Sequence, residues 1–333
     1  MNWFERLTGF PEEGYHPTRQ RLHVAEGRLH SKVNGQSWPI GQLSTPSLAE
    51  LRQRSAQARG EMAGALKVRN VVEDAYELHV RSAANGAVVQ VASQFNLLEM
   101  VHPDISPEDG VAGYEHDHTQ GPACARAAGA GTIYRNYFAP VGDQLGQTEA
   151  RQINTLADLC AALPGSEGVR MRNGYALIDQ SSLEQIAAHL RQVSEAERDE
   201  LRGLLRIGLH EDVAVTAPEA QPDQALTQAY CSALPVSYNR TGHMAHLWEP
   251  LARLVLEAAY EATLHAALIN AARTGNPRVY LTFLGGGAFG NDREWILGAI
   301  RRGLACMQGA ALQVNLVSYG QPAADLADML TLP

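Results

Sequence analysis

Arg278-Val279-Tyr280-Leu281-Thr282-Phe283-Leu284-Gly285-Gly286-Gly287-Ala288-Phe289-Gly290-Asn291-Asp292 decides the fold class. Its first seven residues are mostly apolar, with branched and aromatic side chains that suit a buried strand. The glycines make a loop, Asp292 is a natural N-cap, and the spacing predicts a helix to about Met307. Leu312-Gln313-Val314-Asn315-Leu316-Val317 returns as a strand. Strand, loop, helix and strand in that order form a βαβ unit, with parallel strands and a right-handed crossover. Four glycines in six positions exceed what one tight turn needs. Without Cβ atoms, Gly285, Gly286, Gly287 and Gly290 let a ligand approach the backbone closely, and Ala288, Phe289 and Asn291 belong to the same loop. A helix N-terminus follows, where orphan N–H groups and the macrodipole favour an anion. A phosphate or pyrophosphate is the expected occupant. The loop is no Walker A sequence, because no Lys-Ser/Thr follows, and it lacks the pattern of GxGxxG with a later acidic residue.

Working outward, Leu66–Val72, Ala75–Val80, Thr132–Phe138 and Val213–Val215 read as strands. Ala87-Val88-Val89-Gln90-Val91-Ala92 is a near-continuous apolar run of the kind buried on both faces of a sheet. Helices are expected from Ser47 or Thr45 as a cap, from Gln120 with Pro122 in its first turn, and from Ser182 onward. Ser194-Glu195-Ala196-Glu197 is a capping box, and residues 244–273 form a long Ala- and Leu-rich helix. Ala217 to Gln224, with two prolines, is a loop. Residues 1–65 read as an arm with one or two hairpins, docked on the main domain through Trp3, Phe4, Phe10 and Trp38. Residues 66–333 read as one α/β domain with a helix-rich insertion around 140–275. Strands alternating with helices predict a three-layer α/β fold.

Composition narrows the function. A 45% hydrophobic fraction supplies a sizeable core, so wholesale disorder is excluded. With 27 Lys+Arg against 36 Asp+Glu and no basic run, a general nucleic-acid surface is not expected. No apolar run reaches the length of a membrane span, and Met1-Asn2-Trp3-Phe4-Glu5-Arg6 lacks the features of a signal peptide. Cys124, Cys160, Cys231 and Cys306 lie far apart without a CxxC pair, which points to reduced thiols in the cytoplasm.

Leu284-Gly285-Gly286-Gly287-Ala288-Phe289-Gly290-Asn291-Asp292 resembles the second phosphate loop of macrodomains, nearest the poly(ADP-ribose) glycohydrolase branch. Val89–Asn96 is similar to the macrodomain strand that ends in an Asn-containing ribose loop, and Val317-Ser318-Tyr319-Gly320 to the strand end that puts a ring on the adenosine. The resemblance covers roughly 66–138 and 278–320. It implies a macrodomain-like mixed sheet flanked by helices, with ADP-ribose or an ADP-ribosylated substrate as partner and no cofactor. Carried over residue by residue, it implies a ligand site of Asn96, Gly110, Val111, the loop 285–291 and Tyr319. The family's Gln-Glu-Glu triplet is absent, because Gln120 is followed by Gly121-Pro122.

Glu115, His116, Asp117 and His118 supply two carboxylates and two imidazoles beside that expected site. A general acid for a glycosidic leaving group, or a carboxylate facing an oxocarbenium-like transition state, is within their chemistry. Glu115, Asp117, His118 and Gln120 are therefore the catalytic candidates. A solvated polar loop explains the same residues without chemistry. His243 and His246, three apart, lack the HExxH pattern, and no metal site is expected. The expected function is ADP-ribose binding with hydrolysis of an ADP-ribosyl bond. The alternatives are a non-catalytic reader and, more remotely, a hydrolase using Cys124 at a helix start.

Overall fold

Capping chemistry sets many of the element boundaries over residues 1–330, which the computed structural model describes. The chain opens with α1 (Trp3–Thr8), α2 (Tyr15–Gln20), β1 (Leu22–Ala25), β2 (Arg28–Ser31), β3 (Ser37–Pro39), β4 (Gln42–Ser44) and α3 (Leu48–Glu61). Next come β5 (Lys67–Val72), α4 (Ala75–Val80), β6 (Val88–Ala92), α5 (Gln120–Ala127), α6 (Gly129–Tyr137), β7 (Pro140–Val141) and β8 (Gln144–Leu145). The middle holds α7 (Ala157–Ala161), β9 (Val169–Arg172), β10 (Tyr175–Ile178), α8 (Gln180–Gln192), α9 (Glu195–Leu204), β11 (Gly208–Ala214) and β12 (Ala225–Cys231). The chain continues through α10 (Ala245–Thr274), β13 (Arg278–Leu281), α11 (Arg293–Cys306), β14 (Gln313–Ser318) and α12 (Ala327–Leu330).

Ser47 and Ser194 close full capping boxes with Glu50 and Glu197 at the starts of α3 and α9. Asp292 caps α11 by accepting from Glu294 N at 2.7 Å. Pro250 lies inside α10 and cannot donate to the carbonyl four residues back. Arg191 supplies the missing donor, with Nη2 at 2.6 Å from His246 O. Among the described residues no helix is long and apolar enough to cross a membrane.

Seven strands form the main sheet in the order β4-β11-β12-β6-β13-β14-β5. The run from β12 through β6, β13 and β14 to β5 is parallel, while β11 and β4 are antiparallel additions at one edge. In β6, Val88 belongs to the apolar cluster shared with α3, α8, α9, α10 and α11. Val89 and Val91 face the other side, toward Leu78 of α4 and Ala123 and Cys124 of α5. Alternating side chains thus bury both faces, and helices cover both. This is the mixed, helix-flanked α/β sheet that the sequence implied.

Several segments differ from the sequence reading. Ala75–Val80 is a helix, because Asp74 Oδ1 accepts from Tyr76 N and Glu77 N and starts a turn. Thr132–Phe138 is not a strand either. Thr132, Ile133, Asn136 and Tyr137 are buried at helical spacing in α6, and packing overrides the β preference of the side chains. Within the helix-rich segment 140–275, the strand expected at Val213–Val215 is the end of the longer β11, and β12 joins it in the main sheet. Residues 42–61 likewise leave the arm: β4 pairs with β11, and α3 packs on α10.

Candidate functional site

Strands β12, β6, β13, β14 and β5 all end on one edge of the sheet, where open α/β folds collect ligands. The glycine loop follows β13 there. Its glycines divide into two kinds. Gly285 and Gly290 have φ of +72° and +70°, and a Cβ on them would collide with Ala233 and Ser237. These two make the turn. Gly286 and Gly287 are exposed, and a Cβ on Gly287 would meet nothing within 4 Å. Asn291 locks the loop, with N donating to Gly285 O at 2.9 Å and Nδ2 to Leu234 O at 2.8 Å. The N–H groups of Gly287, Ala288 and Phe289 donate to none of the described residues. Consecutive free N–H groups at a helix entrance form a concavity suited to an anion.

Aromatic rings flank the loop. Phe289 lies 5.4 Å from the ring of Tyr175 and 5.7 Å from that of Tyr238. On the next strand, Tyr319 follows the end of β14 and is 82% exposed. The structure therefore brings together residues 285–291 and leaves a free ring at the neighbouring strand end.

The remaining candidates are occupied elsewhere. Asn96 is fully buried; its Oδ1 accepts from Leu98 N at 3.1 Å and its Nδ2 donates to Gln152 at 2.8 Å. It holds the loop after β6 and does not face open space. Asn96→Ala is expected to lower stability by about 1–3 kcal/mol through the unpaired groups left behind, measured as a fall in the urea midpoint. An unchanged midpoint would return the residue to the ligand site. Gly110 and Val111 do meet an anion, but one from the chain itself. The Glu12 carboxylate accepts from Val111 N at 2.8 Å and Ala112 N at 2.6 Å, with Tyr137 Oη donating at 2.8 Å. Burial pushes the Glu12 carboxyl upward despite those bonds.

Glu115 accepts from Trp3 N at 2.8 Å and lies 3.6 Å from Arg6, so it anchors α1. Asp117 Oδ1 takes the N–H and hydroxyl of Thr119 just before α5, and His118 is exposed. Gln120 behaves as a piece of strand, with Oε1 accepting from Ala92 N at 2.7 Å and Nε2 donating to Gln90 O at 2.9 Å. Cys124 is fully buried, and burial raises its thiol well above the ordinary range. It is a small core residue and no thiolate nucleophile. His243 and His246 are exposed, and no group of His, Cys, Asp or Glu among the described residues could hold a metal ion.

Sequence reasoning missed Glu99. It is 2% exposed, and burial pushes its carboxyl up to about 8. Arg135 Nη2 lies 3.4 Å from Oε1, long for a charge-assisted hydrogen bond. Oε2 has no partner among the described residues. The guanidinium therefore offsets only part of the burial cost, and the carboxyl keeps its proton near neutrality. A Cβ on Gly121 would stand 3.0 Å from Glu99 Cγ, so the acid fills the space left by the missing side chain at the start of α5. A single Glu within Phe95–Val101, among apolar neighbours, was the available signal.

No family model matches the chain, and no curated protein matches it. Among solved structures, poly(ADP-ribose) glycohydrolase from Deinococcus radiodurans in complex with ADP-ribose is similar over 84% of this chain and 86% of its own, at 12% identity and a TM-score of 0.43. Poly(ADP-ribose) glycohydrolase from Thermomonospora curvata bound to the inhibitor ADP-HPD is similar over 90% and 87%, at 14% identity and a TM-score of 0.42. These are loose likenesses of chain path, and no residue of the site is placed by them.

Proposed function

We propose that this chain is a macrodomain-like protein that binds ADP-ribose or an ADP-ribosyl conjugate at the edge carrying the glycine loop, and hydrolyses an N- or O-glycosidic ADP-ribosyl bond there. The observation that carries the reading is the row of unpartnered N–H groups at Gly287, Ala288 and Phe289, in the loop between β13 and α11. A pyrophosphate satisfies such a row. Tyr319 offers its exposed ring to the adenine, and Phe289 with Tyr238 walls the other side. Glu99, whose side chain packs at Gly121 in the first turn of α5 beside Ala92 at the end of β6, supplies the proton: the glycosidic bond breaks, the leaving atom takes the proton from Glu99, and water adds at C1″. Asp117, whose charge acts on Glu99, accepts the proton from that water. Acids with raised pKa recur in glycosidic cleavage. The unpaired cysteines suit a reducing compartment such as the cytoplasm.

A non-catalytic reader is the second reading, favoured by the engagement of Glu115 and Gln120 in structural contacts. Calorimetry with ADP-ribose, followed by release of ADP-ribose from an ADP-ribosylated protein, separates the two. Binding with release supports the hydrolase, and binding alone supports the reader. No binding by the folded parent removes both. Within the binding arm, Tyr319→Phe is expected to keep affinity, whereas Tyr319→Ala loses about 1–3 kcal/mol of stacking. Equal affinities in all three proteins would show that the ring does not touch the ligand.

A further inference from the structure

A hollow of about 260 Å³ lies between α1, β3, the start of α4 and the end of α5. None of its lining residues belongs to the glycine loop or to the rings beside that loop. Helix α5 begins beside Ala92, where β6 ends, and Arg126, its seventh residue, lies about 9 Å farther along its axis. There Ala127 O accepts from Thr216 N, just past the end of antiparallel β11.

The Arg126 guanidinium makes no hydrogen bond to a described residue, which leaves its two terminal nitrogens free for an anion, while Arg126 Nε and the Trp3 indole Nε1 are unpartnered but covered. The Arg126 guanidinium stands over the Tyr76 ring at 5.4 Å and is paired with no carboxylate among the described residues. Arg6 is the second cation on the wall, sharing Glu115 at a loose 3.6 Å. Trp38 and Tyr76 add flat apolar surface. The volume lies just below the range of ordinary ligand pockets, about 300–1,000 Å³, which fits one or two fused rings and excludes a dinucleotide.

We propose that this hollow is a second binding site for a small planar aromatic anion. Its carboxylate or phosphate sits on the Arg126 guanidinium, and its ring lies against Trp38 and Tyr76. Carboxylate and phosphate present the same oxygens to these donors, so the two headgroups are separated by experiment.

The test uses the full chain and follows binding of each probe by saturation-transfer NMR titration. The probes are indole-3-acetate for the carboxylate, phenyl phosphate for the phosphate, and neutral indole-3-acetamide as control. One of the two anions is expected to bind saturably, and the better one names the headgroup. The amide is expected to bind about tenfold more weakly or worse, as is the anion to Arg126→Gln, through loss of charge-assisted hydrogen bonds. Arg126 makes no hydrogen bond to a described residue, so Arg126→Gln should keep the parental Tm. Gly287→Val is expected to leave this binding unchanged, separating it from the glycine loop. Failure of both anions to bind up to on the order of 10 mM, equal binding of the amide, or parental affinity in Arg126→Gln overturns the proposal.

Discussion

Gly287→Val is expected to abolish ADP-ribose binding while leaving Tm where it is. The two halves of that expectation come from the same geometry. Gly287 lacks the positive φ of its neighbours Gly285 and Gly290, and a Cβ placed on it finds open space. The fold therefore has no steric reason to reject valine. A pyrophosphate drawn to the N–H groups of Gly287, Ala288 and Phe289 would have to occupy that same space. The isopropyl group removes no charge and no donor, so the loss of affinity, about 100-fold or more, is exclusion alone. Gly290→Val serves as the contrast. It forces a β-branched side chain into left-handed backbone and against Ser237, so stability itself falls. Calorimetry and thermal unfolding on the same preparations read both effects. Parental affinity in folded Gly287→Val would take the loop out of the binding site.

Glu99→Gln is expected to keep ADP-ribose binding and lose turnover by about 10²–10⁴-fold, the usual share of a positioned general acid. The amide matches the carboxyl in shape but has no acidic proton to give. In the parent, kcat should hold to near neutrality and fall above about pH 8, as Glu99 loses its proton. The same group sets a stability signature that needs no substrate. Unfolded, Glu99 ionises near the ordinary value of 4.5; folded, burial raises that to about 8. Between those limits the folded state binds the extra proton, so raising the pH through the window lowers stability, and the contribution levels off above it. The slope approaches about 1.4 kcal/mol per pH unit from this residue alone. Denaturant melts at pH 5 and pH 8 should therefore differ less in Glu99→Gln than in the parent. Equal pH dependence in the two proteins, together with unchanged release of ADP-ribose, would remove Glu99 from the reaction.

The legible parts of the fold were those whose signals lie within one short stretch. Strand, glycine loop, capped helix and returning strand in 278–317 each announce themselves by neighbouring residues, and β13, α11 and β14 follow that pattern. Strand β12 was not legible because Thr227 and Gln228 break its apolar run. Buried partners make them acceptable: Gln228 Nε2 reaches Cys124 O at 3.1 Å, and Thr227 Oγ1 reaches Asn270 at 3.4 Å. Helix α6 carried strand-like residues, and only the packing around Ile133 and Tyr137 decides against them. The site divides in the same way. The loop's glycines could be read directly, although which two make the turn depends on Ala233 and Ser237, far away in sequence. Asn96, Glu115 and Gln120 have the right chemistry for a site, but their partners Gln152, Trp3 and Ala92 had already claimed them. Glu99 has the opposite history. Nothing in its own side chain marks it as an acid for neutral pH; the burial that makes it one comes from the whole fold.

The two outer strands of the main sheet, β4 and β5, come from one stretch near the start of the chain, joined by α3. That arrangement dictates an order of assembly. On a ribosome the flanking strands emerge first, yet β5 has nothing to pair with until β14 is made; Asn70 and Leu316, bonded in the finished sheet, are 246 residues apart. Such distant closure slows folding and leaves strands waiting. The same strap then guards the product, because β4 and β5 cover the flanks of β11 and β14. A version of the chain trimmed to begin after Val72 would keep the glycine loop and bare both flanks at once, ready-made templates for pairing with another copy. Such a fragment should precipitate where the full chain stays dissolved, although every residue of the proposed ligand site is still present.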